Sequence, residues 1–447
     1  MKQTMLRHVF LSTLLLILLS GSGAAQNFST DARRIGLGGA GDSQNTASRL
    51  VEEQQDYRSI GLPLGILQLV KNREIFDPDD PNFDPVRAVE YAASPLHWGL
   101  KRDSTGPGNL LVRNIVDAEL SRDLNTYRGF TPAQEINAQG LIAPSWGKTF
   151  RFAKTSEGAF HGVYVGVGPY LSIGTNLVFD EKLINLLASS TTINSPNSNF
   201  LITDVTTGQA AASITGGYRA RFAPFGDREG IYIAADYSYL HGLHYDNADT
   251  QLRFDTGADG LVTLTPTTTP VIVSRRTSSE GKGFAIDVAV AVVKRQWDAS
   301  FGVDGIGNRI DWEDLGGRQY VLQSLFNGGD FITTGVPVPS TTQRVTLPVR
   351  YAGSGSYHTD KWSVATELGR SLQGFRFNSG AEYKLGRLAF RGGTRFSRDI
   401  WHGAGGIGFN LTEGFGVDVA AFQNSTNIED ERRVSLAVSL RFNRKAQ

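Results

Sequence analysis

The chain contains no cysteine. It therefore closes no disulfide and offers no thiolate to zinc or to a nucleophilic mechanism. It carries no surplus of charge either, since Lys plus Arg and Asp plus Glu both number 44. Without a basic field it is not a nucleic-acid partner. After Leu19 no apolar run approaches the roughly 20 residues that a membrane helix needs. Also missing are a nucleophile elbow, a phosphate loop with its lysine and an H-E-x-x-H helix, so the expectation is no enzyme, no cofactor and no metal.

What the chain does have begins at its start. Lys2 and Arg7 precede an apolar run from Val9 to Leu19, and Gly23-Ala24-Ala25 offers small residues at a cleavage spacing. This reads as a signal peptide over residues 1–25, and hence as export. Glycine is plentiful at 51 of 447, against a usual share of about 7%. It falls inside strand-like runs such as Gly403 to Gly408, where strands bend or backbones approach.

The most informative stretch is Val434 to Phe442. Val434, Leu436, Val438, Leu440 and Phe442 alternate with Ser435, Ala437, Ser439 and Arg441. A soluble sandwich strand would show the same alternation. Recurrence and loop asymmetry favour the membrane. Period-two runs return from Leu110 onward: Val163, Val165 and Val167 alternate with Tyr164 and Gly166, and Ile231 to Tyr239 and Phe284 to Val292 do likewise. Most short connections fall on one side, at Leu411 to Gly414, Leu385 to Arg387, His358 to Lys361, Lys294 to Gln296 and Pro224 to Glu229, with Ser371 to Gly374 a short exception on the other. Long ones fall on the other, at Trp312 to Arg344, Asp246 to Gly281 and Asp180 to Gly208, as in outer-membrane barrels. Backbone in lipid must be paired by neighbouring strands, so the wall has to close. The fold class is all-β: a transmembrane antiparallel β-barrel of about 14 strands over residues 110–447, with residues 26–109 as an N-terminal plug. Ile60, Leu62, Leu64, Ile66 and Leu67 are the apolar residues expected within that plug.

Ala32-Arg33-Arg34-Ile35-Gly36-Leu37-Gly38-Gly39-Ala40 follows the cleavage site. It resembles the glycine-rich opening of the FadL-like outer-membrane long-chain fatty-acid transporters, as does the aromatic-ended last strand. The resemblance implies a plugged barrel that passes hydrophobic molecules from outside into the membrane; some related barrels serve secretion or surface attachment instead. The same stretch spells G-x-G-x-x-G at Gly36, Gly38 and Gly41. It lacks the preceding strand and following helix of a dinucleotide site.

Candidate site residues lie on the final strands. Arg387, Arg391 and Arg395, with Arg376, Glu382 and Lys384 beside them, are read as lumenal. Such a ladder could hold an anionic ligand, but pairing among themselves or with the plug is the stronger reading. His241 and His244 in His-Gly-Leu-His would need a bulge to share a face. Interface aromatics explain them better, along with Trp401, His402, Trp312 and Trp362. The aspartates between Phe76 and Pro85 are read as turn residues rather than as a calcium site.

The functional expectation is a passive channel for small, hydrophobic molecules in the outer membrane of a Gram-negative-type bacterium. The alternative is a secretion-associated or anchoring barrel whose outer loops bind extracellular proteins. The partners expected are the lipid bilayer and hydrophobic small molecules.

Overall fold

The computed structural model describes residues 31–40, 57–62, 64, 96–99, 135–156, 158–188, 197–226, 229–256, 262–263, 271–322, 335–372, 374–397, 400–423 and 433–443. The expected signal peptide, the Phe76 to Pro85 segment, the Leu110 to Leu120 strand, and Ile66 and Leu67 lie outside these residues.

The described residues hold two short helices, α1 (Ala32–Gly36) and α2 (Glu181–Ala188), and nineteen strands in one sheet. The strands are β1 (Tyr57–Leu62), β2 (Leu96–Gly99), β3 (Glu135–Ile142), β4 (Trp146–Phe152), β5 (Phe160–Phe179), β6 (Asn197–Phe222), β7 (Gly230–Thr256), β8 (Val262–Thr263), β9 (Val271–Ser278), β10 (Glu280–Lys294), β11 (Trp297–Leu322), β12 (Val336–Thr346), β13 (Arg350–His358), β14 (Trp362–Ser371), β15 (Gly374–Leu385), β16 (Leu388–Ser397), β17 (Ile400–Asn410), β18 (Phe415–Gln423) and β19 (Arg433–Asn443).

Several of these are pieces of one wall strand. β1 and β2 both run antiparallel to β19, at its two ends. β3 and β4 share β5, β9 and β10 lie between β7 and β11, and β12 and β13 share β11. With each pair counted once and the two-residue β8 set aside, the described strands fill fourteen antiparallel wall positions. The chain is an antiparallel β-barrel.

Its side chains are sorted inside out. On β5, Val163, Val165 and Val167 are each about half exposed while Tyr164 is buried. On β19, Ser435, Ala437 and Ser439 are buried and Val434 and Phe442 are exposed. Direct cross-strand partners share a face, so Val419 lines up with Val438 on the outside and Asp418 with Ser439 on the inside. A water-soluble protein does not leave a continuous belt of valine, leucine and phenylalanine exposed. An acyl-chain environment requires it.

Aromatic rows mark both margins of the belt. At the short-turn end Trp297 meets Tyr357 and Trp362 meets Tyr383, with centroids 4.6 and 4.5 Å apart. At the other end Trp401 packs against Phe396 and Phe377 at 5.1 and 5.9 Å. Trp362 and Trp401 therefore take the interface positions expected of them. His402, expected beside Trp401 at the interface, is instead buried on the inner face.

The long connections hold more structure than the sequence suggested. β6, β7 and β11 run for 26, 27 and 26 residues, far beyond the 9–11 or so that span a bilayer. Much of Trp312 to Arg344, Asp246 to Gly281 and Asp180 to Gly208 is strand or helix, because the alternation of β-branched and polar residues continues past the membrane margin.

Residues 57–62 are a second difference. Ile60 pairs with Leu440 and Leu62 with Val438, so both stand on the lipid-facing side of the wall rather than in a plug; Ile60 is 56% exposed. Leu64 follows in a turn, outside the sheet. The wall thus draws strands from residues assigned by sequence to the pre-barrel segment.

Val419 sits in the middle of an outward row. Val419→Arg is expected to destabilise the folded barrel by about 2–4 kcal/mol, measured by urea titration in lipid vesicles.

Candidate functional site

Inside the wall, two arcs differ in chemistry. Along β15 to β19 the inward positions are charged, and the N-terminal motif is seated on them. α1 opens with Asp31 as its cap, whose carboxylate accepts the Arg33 amide at 2.9 Å. Ser439 Oγ accepts from the Ala32 amide at 3.2 Å and donates to Asp31 at 3.3 Å. The Arg33 guanidinium grips Glu382 in a two-point contact, Nε to Oε2 at 3.1 Å and Nη2 to Oε1 at 3.0 Å.

Glu382 is itself buried and shared. Arg391 Nε donates to it at 2.6 Å and reaches Asp418 at 2.8 Å, and Arg441 Nε donates to Asp418 at 3.0 Å. Glu382, Arg391 and Asp418 are all nearly inaccessible. Inward charges on neighbouring strands thus neutralise one another, which they must where water is scarce.

Of the ladder expected from the sequence, only part is assembled. Arg391 and Glu382 form its centre, and Lys384 approaches Glu382 at 4.0 Å from an exposed position. Arg376 pairs with buried Glu367. Arg395 faces inward one turn of the register away, opposite His402. Arg387 lies in the exposed turn between β15 and β16 and is not lumenal: Gly386 at φ 58° turns the chain there. Glu382 ties the Arg33 guanidinium of α1 to the wall, and Arg391 and Arg441 bind Glu382 and Asp418 within it, so the assembled charges act first as a seat for α1.

Glycines make this seat close. A Cβ at Gly393 would fall 2.2 Å from the Leu37 carbonyl carbon and one at Gly380 2.3 Å from the Leu37 oxygen. Gly380 and Gly393 are cross-strand partners. Gly38, at φ 67°, presses on Thr394, where a Cβ would lie 2.5 Å from the backbone nitrogen. Gly36 and Gly38, which spell part of a dinucleotide fingerprint, serve here as packing surface.

The other arc holds a cavity of about 70 Å³, bounded by β3, β5, β6, β7, β10, β11 and β13. Its roof is apolar. Leu141, Tyr170 and Leu240 belong to a buried cluster with Tyr245, Ile310, Trp312 and Leu315. The Trp312 ring lies 5.4 Å from Tyr245, and its indole donates to Gln209 at 3.1 Å. Trp312 was expected at the membrane interface; it is fully buried instead, because position 312 shares the inward parity of Ile310.

The cavity floor is polar. Arg219 pairs with Asp236 at 3.0 Å and lies 3.5 Å over the Tyr164 ring, whose hydroxyl meets Ser145 at 2.8 Å. Asp287 Oδ1 accepts the Gly305 amide at 2.7 Å, and the Tyr170 hydroxyl donates to Asn308 at 3.1 Å. Arg350 completes the lining.

Three irregularities of the wall meet at this cavity. Ala143-Pro144-Ser145 interrupts β3 and β4, and the register with β5 resumes unchanged beyond it. Leu347-Pro348-Val349 interrupts β12 and β13 just before Arg350. Gly305 and Gly307, both at positive φ, sit where the β10–β11 register shifts. Proline lacks the amide that a ladder needs, and bulges re-aim side chains. These residues escaped the sequence reading, although two prolines and a Gly-Ile-Gly inside strand-like runs were visible.

His241 and His244 do come to one face, through a register shift opposite Ala210 and Ala211. Both are exposed on the outer surface, and among the described residues no cluster of three metal-ligating side chains occurs.

No protein-family model matches the sequence, and no curated protein does. Solved structures do resemble this chain. The Ralstonia pickettii toluene transporter TbuX shares 11% identity over 72% of this chain and 92% of its own, with a TM-score of 0.32. A Pseudomonas aeruginosa FadL homologue shares 10% over 69% and 89%, at 0.33. A mutant of the monoaromatic hydrocarbon channel TodX shares 10% over 79% and 97%, at 0.30. Likenesses this low in identity and overlap transfer no residue.

Arg33 is the tether of α1. In a background free of other thiols, Ala32→Cys, at a position 0% exposed, is expected to resist maleimide labelling. Adding Arg33→Ala removes charge-assisted bonds of about 1.5–3 kcal/mol each, and labelling should then accelerate. Gly393→Ala should do the same through the clash with Leu37, and equal labelling in all three proteins would show that α1 is held by something else.

Proposed function

We propose that this chain is an outer-membrane channel through which small solutes pass by way of the lumenal cavity, with the N-terminal segment held as a plug against the opposite arc. The observation that carries the reading is the coincidence of that cavity with breaks in the wall. Strands of a purely structural barrel gain from unbroken ladders, and a proline inside one forfeits a hydrogen bond. Here two prolines and a bulge converge on the lumenal cavity. The fixed α1 supports the same reading, since a segment tied by ion pairs narrows the lumen without filling the far arc.

The solute class follows from the lining. The roof of Leu141, Tyr170 and Leu240 accepts the hydrophobic body expected from the sequence. The floor adds a demand for polar groups, because buried donors and acceptors left unmatched are costly. The permeant is small: by the same measure one water needs about 10–15 Å³, so the resting cavity holds a solute of only a few heavy atoms. Larger molecules require the aromatic cluster above to yield.

Liposomes containing the refolded protein should swell in small neutral solutes such as glycerol, and protein-free liposomes should not. Leu240→Ala, which opens the roof at a stability cost of about 2–5 kcal/mol, is expected to raise the swelling rate and the size limit together. Liposomes that stay tight with both proteins would point to a sealed barrel with an anchoring role.

A further inference from the structure

We infer that the cavity is a recognition site for a small zwitterion, an α-amino acid with a short apolar side chain. The inference rests on the channel reading above and names the solute class of that same cavity.

Its basis is a pair of opposite charges that share the cavity without neutralising each other. Five ionic side chains line the space, the carboxylates of Asp236, Asp287 and Asp304 and the guanidinia of Arg219 and Arg350. Asp236 and Arg219 are committed to one another at 3.0 Å, and Arg219 is further held against Tyr164. Asp287 stands directly across the β7–β10 ladder from Asp236. It accepts the Gly305 amide at 2.7 Å but makes no ion pair among the described residues. Arg350 stands across the β11–β13 ladder from Asp304, which is itself engaged in an interaction, and likewise makes no ion pair among the described residues.

Two partly buried charges of opposite sign that line one cavity and form no ion pair among the described residues are unusual, since such ions normally find partners. A ligand that brings both signs at once satisfies the pair. Its ammonium group would take the open oxygen of Asp287 and its carboxylate the guanidinium of Arg350, for which a planar two-point contact is the favoured geometry. Leu141, Tyr170 and Leu240 then cover the side chain. The size agrees: a cavity of about 70 Å³ corresponds to roughly five waters, the scale of the smallest amino acids. A purely anionic or purely cationic solute would leave one wall charge uncompensated, and a hydrocarbon would strand both.

The test uses full-length protein refolded into liposomes, with L-alanine as probe and glycerol, ethylamine and propionate as comparisons. Alanine influx is expected to saturate and to exceed that of either singly charged analogue at equal concentration by tenfold or more. Asp287→Asn should lower alanine influx about tenfold, and so should Arg350→Gln, each charge-assisted bond being a factor of that order; Arg350→Lys should recover part of the loss. If the variants fail to fold, the comparison of solutes on the unaltered protein carries the test alone. Glycerol influx with alanine no faster than ethylamine or propionate overturns the zwitterion site and leaves the channel standing. Influx of no solute at all overturns both.

Discussion

A peptide group in hydrocarbon has no water to bond to, and that constraint shapes every level of this molecule. It forces the strands to pair edge to edge around the wall. It reverses the usual sorting, so that Val163, Val419 and Phe442 face out while Ser439, Asp418 and Glu382 face in. The pleat allows only two faces, and once lipid claims the apolar set, the polar set must be accommodated in the lumen. The interior of the barrel is therefore polar by default. Its main problem is to satisfy those groups, with one apolar cluster around Trp312 and Leu240 packed among them.

The two arcs solve that problem differently. Along β15 to β19 the inward charges are brought within reach of one another by register: Glu382 stands opposite Arg391 and Asp418 opposite Ser439. The network is completed from a distant part of the sequence by Arg33, 349 residues away from Glu382. Docking α1 thereby converts a destabilising feature of the lumen into an anchor. The glycines on both surfaces let backbone meet backbone. On the opposite arc Asp287 and Arg350 form no ion pair among the described residues, and the wall is broken there as well.

How much of this was legible in the sequence follows from which interactions are local. The last strand, β19, could be read almost to the residue, because the alternation of a half-lipid strand is imposed position by position. The tight turns and the aromatic margins at Trp362 and Trp401 were readable for the same reason. Trp312 and Arg387 were misplaced because parity alone does not reveal where a strand leaves the membrane or where its turn begins. Ile60 and Leu62 were assigned to a plug because a strand of six residues, completed by β2 far along the chain, carries too short a pattern. The seat of α1 was foreshadowed as a motif without a partner. Only the fold joins Arg33 to Glu382 and Leu37 to Gly380 and Gly393.

The cavity was the least legible feature, and the reason is physical. A binding space in a barrel arises where the regular wall fails, and each failure here is a single residue whose effect depends on what stands opposite. Pro144 matters because its carbonyl presses on Gly168, where a Cβ would lie only 1.8 Å away. Gly305 matters because its amide is turned inward to Asp287. Neither carries a signature of its own, yet each gives up ladder hydrogen bonds that the rest of the wall retains. That sacrifice is tolerable in a sheet of fourteen long positions, where neighbouring ladders hold the register across the gap. The same length that makes the wall stable enough to cross a bilayer thus permits the local irregularity that opens the cavity.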